Sequence, residues 1–397
     1  MKILQIVSTP PFAWATGGCA RVVYELSKQL VKHGHEVTML TTDLYEPNNR
    51  YVAGNNPEYV EGIRIFRFKY ISDNLAWKKG IYISPKISTY LKENLNEYDI
   101  VHLQDLISFQ AVMTAKYCKY HKMPYILTTH GSVPKVCQKK GLIGAYNFFF
   151  SHKILRNAQK IIALSDAEMC QYQHSQINKS QIIKIPNGIN TEMFETLPVK
   201  GKFRYKYNIN KKYMILFLGR IHKRKGIDYL IQSFFEFEKE TNNAVLVIIG
   251  NDDGYMTEMK ILVNMLGLNN KVEIIGYVND DDKISAYVDA DVVVYPATLE
   301  IFGLVPFEAI LSGTPVIVAD DCGCGELIRD ANCGYLVKYG NVRELKENMK
   351  NAIENPEEAL KMVERGKAYI EDNLTWKQIA SKVEKVYENN NFNQLKV

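Results

Sequence analysis

Glu300 and Glu308 bracket the run Ile301-Phe302-Gly303-Leu304-Val305-Pro306-Phe307, so two carboxylates stand eight residues apart around a turn and the start of a helix. The apolar run Asp291-Val292-Val293-Val294-Tyr295-Pro296 just before them reads as a buried strand ending in a loop. A strand that passes through Phe-Gly-Leu into a helix offers several unpaired backbone N–H groups at the helix N-terminus, a seat for a diphosphate. The acids do not suit the phosphates, since like charges repel. They suit neutral hydroxyls, which donate to carboxylates, and the chemistry suggested is recognition of a sugar attached to a phosphate.

Cations for such a ligand occur earlier in the same half of the chain. Phe217-Leu218-Gly219-Arg220 ends a strand-like run, and Ile221-His222-Lys223-Arg224-Lys225-Gly226 leads into a helix. Arg220 brings a planar fork of donors and Lys225 a mobile point charge, a division of labour suited to a diphosphate. Each charge-assisted hydrogen bond contributes about 1.5 to 3 kcal/mol, so two cations and a few amides hold a nucleotide in roughly the micromolar range. A solvated basic turn is the alternative for this run alone; Glu300 and Glu308 in the same half favour the ligand.

The first half carries Trp14-Ala15-Thr16-Gly17-Gly18-Cys19-Ala20 between its first strand and first helix. Paired glycines let a backbone approach a ligand closely, although a tight turn is an equally simple reading. The G-x-G-x-x-G spacing is absent, which counts against a dehydrogenase. In Thr128-Thr129-His130-Gly131, His130 ends a strand-like run and is placed to reach a ligand, with a structural histidine as the other reading. His102 sits mid-strand in Asp99-Ile100-Val101-His102-Leu103 and reads as core. Cys322, Cys324 and Cys333 lack a fourth Cys or His at finger-like spacing, so no zinc site is expected. Asp280-Asp281-Asp282 precedes a helical pattern and reads as helix capping rather than as metal-binding acids.

These candidates need a scaffold, and the chain alternates strand and helix almost throughout. At 397 residues it suggests two domains of about 190 residues. Its 46% apolar and 23% charged content describes a soluble globular protein with ample core. Strand-like runs fall at 3–7, 37–41, 100–103, 125–129, 161–164 and 182–185 in the first half. In the second they fall at 214–218, 245–249, 272–275, 292–295 and 316–319. The alternation predicts an α/β fold, each half a doubly wound parallel sheet with helices on both faces. Ligands bind beyond the carboxyl ends of such strands, where the motifs above lie. The break is expected between Pro186-Asn187-Gly188 and Lys212, and three helical patterns, at 342–354, 357–371 and 375–388, close the chain before an Asn-rich tail. No apolar run reaches the roughly 18 residues of a membrane span. Residues 2–7 are too short an apolar run for a signal peptide and read as a first strand. Seven scattered cysteines fit a reducing, cytoplasmic setting.

Several of these segments occur in an order with a counterpart. They are Gly17-Gly18, Thr128-Thr129-His130-Gly131, Ser165 in Ala163-Leu164-Ser165-Asp166, Ile185-Pro186-Asn187-Gly188-Ile189, the run from Gly219-Arg220 to Lys225-Gly226, and Glu300 with Glu308. Together they resemble a retaining glycosyltransferase of family 4 with the GT-B fold, along nearly the whole chain. The resemblance implies two facing Rossmann-like domains with a cleft between them. Residues 1–190, with a helix at 375–390 crossing back onto them, would take the acceptor, and 191–374 the nucleotide-sugar donor.

By the same resemblance, Arg220 and Lys225 hold the donor diphosphate, and the backbone of Phe302, Gly303 and Leu304 supports phosphate and sugar. Glu308 accepts from the ribose hydroxyls, Glu300 binds hydroxyls of the transferred sugar, and His130 contacts that sugar's far side. Gly17 and Gly18 lie near diphosphate and acceptor, Asn187 and Gly219 join the donor contacts, and backbone groups around Gly276-Tyr277-Val278 recognise the base. The implied reaction retains configuration through a same-face attack in which the leaving phosphate takes the acceptor proton, with no metal or other cofactor. Two positions depart from the pattern. Ile301 stands where the family often has Gly, and Cys324 interrupts the usual Gly-Gly before Glu326. Neither removes a charged group, so they bear on donor-sugar fit.

One compositional feature bears on the acceptor. Residues 106–165 contain no Asp or Glu but nine cations: Lys116, Lys119, Lys122, Lys135, Lys139, Lys140, Lys153, Arg156 and Lys160. The whole chain is only +5, so without those nine it is net negative by four. The apolar, aromatic run at 141–150 lies among these cations. A basic, aromatic, non-spanning segment, 135–160 above all, suits docking to an anionic membrane, and a buried helix with a solvated basic face is the alternative. With about half the cations at the bilayer and roughly 1 kcal/mol each, adhesion is about 4 to 5 kcal/mol, weak and reversible. No nucleic-acid partner is expected, since no groove-reading motif or single-strand platform accompanies the charge. The expected function is transfer of a sugar from a nucleotide-sugar donor to a glycan or lipid-linked acceptor. The alternatives are a soluble acceptor such as a sugar phosphate or storage polysaccharide, an inactive binding partner, and an epimerase of the same two-domain fold.

Overall fold

A computed structural model of the chain describes residues 1–12, 18–46, 49–51, 56–132, 144, 146–172 and 177–390. Gly17, Lys135, Lys139, Lys140 and most of the head of the apolar run after them lie outside the described residues. The chain forms two compact units, Met1–Gly188 with Trp376–Val397, and Ile189–Thr375.

The first unit is built on strands β1 (Lys2–Ile6), β2 (Glu36–Thr42), β3 (Glu58–Val60), β4 (Ile63–Phe68), β5 (Ile100–Leu103), β6 (Tyr125–Thr128), β7 (Lys160–Ala163) and β8 (Ile182–Lys184). Their order in the sheet is β8-β7-β6-β5-β1-β2-β4-β3, parallel except for the edge pair β3 and β4. A strand buried on both faces is apolar at most positions, which is why the inner strands read as near-continuous runs. Side chains still alternate between faces. Leu4 and Ile6 enter one core with Leu40, Val101 and Leu127, while Ile3 and Val7 enter the other with Val23, Leu26 and Leu30 of α1 (Gly18–Lys32).

The second unit has a wholly parallel sheet of β9 (Tyr213–Leu218), β10 (Ala244–Ile249), β11 (Val272–Ile275), β12 (Val292–Tyr295), β13 (Val316–Ala319) and β14 (Tyr335–Val337), in the order β11-β10-β9-β12-β13-β14. Helices α2 (Asp280–Asp289), α3 (Leu304–Leu311) and α4 (Gly323–Ala331) each lead out of the carboxyl edge of this sheet. The last helix, α5 (Trp376–Glu388), belongs to the first unit: Trp376, Ile379, Ala380, Val383, Val386 and Tyr387 complete the core that α1 lines. Among the described residues, no helix is long and apolar enough to cross a membrane.

Every strand read from the sequence forms, most with ends displaced by a residue. Among the described residues five further strands appear: β3, β4 and β14 join the two sheets, and Leu44–Glu46 pairs antiparallel with Asn49–Arg50 in a small sheet of its own. In β4 the alternation Ile63-Arg64-Ile65-Phe66-Arg67-Phe68 conceals a buried strand. Arg67 is enclosed because its Nε donates to Glu58 at 3.0 Å and its guanidinium lies 4.1 Å from the centre of the Tyr51 ring.

Candidate active site

Because all six strands of the second unit run in parallel, the loops that follow them emerge at one edge. β9 is central, and the chain winds outward on one side through β10 and β11 and on the other through β12 to β14. The crevice at such a switch of direction is where open α/β sheets take ligands. Lys225 reaches it from the turn Lys223–Lys225 after β9, and Tyr295 and Glu300 reach it from the end of β12. The Lys225 ammonium donates to the Tyr295 hydroxyl at 2.6 Å and to Glu300 Oε2, and Tyr295 donates to the same carboxylate oxygen at 2.8 Å. Thr298 N donates to the carbonyl of Arg224 at 2.9 Å and ties the two loops together. Burial alone would raise the Glu300 carboxyl, but the Lys225 charge, the hydrogen bonds from Lys225 and Tyr295, and the more distant Arg220 hold it below its ordinary value. Burial and the Glu300 charge push the Tyr295 hydroxyl far up, so it stays a donor.

Gly303 precedes α3 with φ 69° and ψ 99°, and a Cβ there would meet Glu300 Cγ and Tyr295 Cε1 at 3.2 Å, so a side chain would strain the backbone and push both neighbours aside. With Gly303 as the cap, no side chain caps the first turn of α3, which also carries no acid, and Pro306 sits where its missing N–H costs nothing. Beside it, Gly323 N donates to the Glu300 carbonyl at 2.7 Å. The thiols of Cys322 and Cys324 are buried 3.1 Å apart, with Cys324 Sγ 3.4 Å from where a Gly303 Cβ would stand.

The remaining candidates of this unit divide among three places. Arg220, after Gly219 at the end of β9, donates to Asp253 Oδ2 at 2.8 Å, and both side chains are exposed. Tyr277 is exposed and Val278 half-buried just past β11. Glu308 turns from α3 toward α2, where Oε1 accepts from Lys283 at 3.1 Å and Oε2 from Tyr287 at 2.9 Å. The two bracketing acids therefore occupy separate environments. Phe302 is buried against Phe307, with ring centres 5.3 Å apart, and Leu304 opens α3.

In the first unit, Gly18 is the exposed first residue of α1. His130 follows β6 with φ 47° and Gly131 with φ 77°, a left-handed pair that turns the chain sharply. The buried Glu168 holds this turn: Oε1 accepts from Thr129 Oγ1 at 2.7 Å and Gly131 N at 2.9 Å, and Oε2 from Leu164 N at 2.8 Å. Burial raises the Glu168 carboxyl, with those hydrogen bonds opposing. His130 Nε2 lies 2.9 Å from Gln104 Oε1, and burial lowers its imidazole to about 4. Asn187 is buried after β8, beside Gly188, whose Cα faces the Trp376 ring of α5 so closely that no Cβ fits. His102 is core, as read.

The description called Glycosyl transferases group 1 matches residues 199–369, and that called Glycosyltransferase Family 4 matches residues 16–193. The chain belongs to glycosyltransferase family 4. An uncharacterized glycosyltransferase of Methanocaldococcus jannaschii is 28% identical over 98% of each chain. The phosphatidyl-myo-inositol mannosyltransferase of Mycobacterium leprae is 26% identical over 78% of each. The crystal structure of Anabaena HepE in complex with UDP-glucose superposes with a TM-score of 0.77 at 18% identity, covering 98% of this chain and 100% of that one. The architecture is that of GT-B glycosyltransferases, two Rossmann-like parallel-sheet domains.

In this glycosyltransferase, sequence reasoning missed Tyr295, Asp253, Lys283, Tyr287 and Glu168 as partners of the candidate residues. Glu168 had a signal, since Ser165-x-x-Glu168 is a capping-box spacing, and Ser165 Oγ does accept from Glu168 N at 3.2 Å. The expected cap of α2 is corrected: Asn279 Oδ1 accepts from Asp282 N at 2.8 Å, while Asp280, Asp281 and Asp282 fill the first turn, where negative charge complements the helix dipole. Asp282 pairs with Lys206 at 2.6 Å and Asp280 with Lys283 at 3.1 Å. Among the described residues, no three His, Cys, Asp or Glu side chains gather in a way that would hold a metal ion.

Proposed function

We propose that this glycosyltransferase transfers a sugar, with retention of configuration, from a nucleotide-sugar donor bound at the carboxyl edge of the second unit to a glycan or lipid-linked acceptor. The observation that carries the reading is the Lys225, Tyr295 and Glu300 cluster beside the uncapped N-terminus of α3. The donor diphosphate sits on the N–H groups of α3 and draws Lys225 and Arg220 toward it from Glu300 and Asp253. Glu300, released from Lys225, accepts from hydroxyls of the transferred sugar, while Glu308, fixed by Lys283 and Tyr287, accepts from the ribose with its remaining lone pairs. Gly219, Tyr277 and Val278 line the base and ribose end, and Gly18, Asn187 and His130 act from the first unit, His130 on the sugar.

Chemistry of this kind needs charge stabilisation of the departing phosphate and positioning more than a protein base. Arg220, Lys225 and the α3 amides supply that charge, so the reaction proceeds without a metal. The leaving phosphate oxygen takes the acceptor proton on the face it vacates. HepE is described in complex with UDP-glucose, and the Mycobacterium leprae relative is described as a phosphatidyl-myo-inositol mannosyltransferase; the first supports a nucleotide-sugar donor and the second a lipid acceptor.

A cytoplasmic enzyme that visits an anionic membrane surface fits the exposed Phe149 and Phe150, next to the helix His152–Asn157 with its Lys153 and Arg156. Incubation with a panel of nucleotide sugars and lipid-linked acceptors, read by release of nucleoside diphosphate and by NMR of the product linkage, tests the reading. An inverted anomer, or product from donor alone, would overturn it. Flotation with anionic and neutral vesicles tests the membrane part, and failure to bind anionic vesicles removes it.

A further inference from the structure

A buried chain of polar side chains joins α5 to His130 within the first unit. Gln5 of β1, His102 of β5, Gln104, Thr128 of β6 and Tyr387 of α5 are all enclosed. The Tyr387 hydroxyl lies 2.6 Å from His102 Nδ1 and accepts from Gln5 Nε2 at 3.1 Å. Gln104 Nε2 donates to Gln5 Oε1 at 2.8 Å and approaches His102 Nδ1 at 3.0 Å, and His102 Nε2 lies 2.8 Å from Thr128 Oγ1. His130 Nε2 closes the chain on Gln104 Oε1 at 2.9 Å.

The two amides give this chain a direction. An amide oxygen only accepts, so with the Gln104 amide in this orientation His130 donates from Nε2. An amide NH2 only donates, so His102 Nδ1 accepts and its proton sits on Nε2, facing Thr128. Tyr387, already accepting from Gln5, turns its hydrogen to His102 Nδ1 and shares that nitrogen's one lone pair with Gln104, at 2.6 Å against 3.0 Å. Reversing one amide alone would set oxygen against oxygen or NH2 against NH2, at a desolvation cost that burial makes large, whereas reversing Gln5 and Gln104 together inverts both histidine tautomers; the network thus has two concerted states, and the amides here hold the one with His130 protonated on Nε2.

We propose that Gln104, held in orientation by Tyr387 through Gln5 and His102, is a positioning residue that fixes His130 as its Nε2–H tautomer and presents Nδ1 to the donor sugar as a hydrogen-bond acceptor. The inference rests on reading His130 as a contact of the transferred sugar. It deepens that reading by specifying the sugar substituent: a group that can donate, a hydroxyl or amide N–H, and not a fluorine or a carbonyl. Burial keeps both imidazoles uncharged at neutral pH, with His102 lowered to about 3 and His130 to about 4. The left-handed backbone at His130, locked through Glu168, holds the ring where the chain ends.

The test is long-range proton–nitrogen NMR of the full chain with labelled histidine, His130 being assigned by loss of its signals in His130→Asn. The wild type is expected to show His130 as a single Nε2–H tautomer. Gln104→Leu and Tyr387→Phe are expected to give mixed tautomers at His130 and about tenfold lower turnover, with affinity for the bare nucleoside diphosphate unchanged. An Nδ1–H wild type, or His130 signals unmoved in both variants, would overturn the proposal, whatever happens to the melting temperature. Movement in Gln104→Leu alone would overturn the part assigned to Tyr387. If Gln104→Leu does not fold, Tyr387→Phe carries the test. A tautomer that shifts with no change in turnover would uphold the positioning role and overturn the sugar contact.

Discussion

Replacing Glu300 by alanine should strengthen binding of a bare nucleoside diphosphate while crippling transfer. In the free chain the Lys225 ammonium is divided between Glu300 and Tyr295. A diphosphate arriving at the start of α3 must draw that ammonium away from the carboxylate, so the carboxylate competes with the phosphate. A hydrogen bond to a charged group contributes about 1.5 to 3 kcal/mol. With side chains 15% exposed for Lys225 and 24% for Glu300, solvent screens part of the pair. Tyr295 also stays behind to accept from Lys225. The relief is then about 1 kcal/mol, roughly a fivefold gain in affinity. The nucleotide sugar gains less, because its hydroxyls lose their acceptor, and turnover falls about a hundredfold, or ~3 kcal/mol. Titration calorimetry at fixed salt, on wild type, Glu300→Ala and Lys225→Ala with a panel of nucleoside diphosphates and their sugars, reads the affinities, and nucleoside diphosphate release in the presence of acceptor reads turnover. Should Glu300→Ala lose nucleoside diphosphate affinity as severely as Lys225→Ala, the division of roles between the two side chains is refuted.

Glu308→Gln should weaken nucleotide binding about tenfold, about 1.4 kcal/mol, and leave inorganic pyrophosphate binding unchanged in the same titration; equal losses for both would remove the ribose role. Gly303→Ala should cost about 1 to 2 kcal/mol in urea unfolding, because φ 69° with ψ 99° lies outside the left-handed well that side chains tolerate, and should abolish donor binding; a wild-type midpoint would contradict the strain. Acid should destabilise the first unit through its two buried imidazoles. Their folded values, about 3 for His102 and about 4 for His130, lie below the unfolded value near 6.5, so the unfolded chain takes up protons first. Stability from this source is complete above pH 6.5 and is lost as pH falls toward 4 and then 3. His102, fully enclosed, accounts for about 2 to 3 kcal/mol between pH 6.5 and 4.5, and the partly exposed His130 for less. Unfolding titrations at both pH values should therefore show a smaller loss in His102→Asn than in wild type, and an equal loss would contradict the assignment.

The fold was legible where burial on both faces leaves no freedom of composition. The runs that became β9, β10, β12 and β13 hold nothing but Val, Ile, Leu, Phe, Met, Ala and Tyr. It was illegible where long-range partners neutralise a residue that local pattern marks as exposed, as Glu58 and Tyr51 do for Arg67. The three residues of β14 are too few to carry a period. At the site, the positions at strand ends could be read because chemistry-bearing residues there interrupt apolar runs. Tyr295 escaped because its ring completes β12 while its hydroxyl, at the far end, serves Lys225 and Glu300. Lys283 and Tyr287 escaped because nothing local tells a helix residue that faces Glu308 from one that faces solvent. Glu168 lies thirty-seven residues from the Gly131 it holds, a distance only the β6 and β7 pairing spans.

Hydrogen–deuterium exchange of the full chain, with and without a saturating nucleotide sugar chosen from a panel by thermal shift, bears most directly on the donor site. Protection is predicted at 219–226 and at 300–308, the two segments that carry Arg220, Lys225, Glu300, Gly303 and Glu308, and it should be lost in Lys225→Ala. Stabilisation by a nucleotide sugar with both segments exchanging as in the free chain would contradict the site.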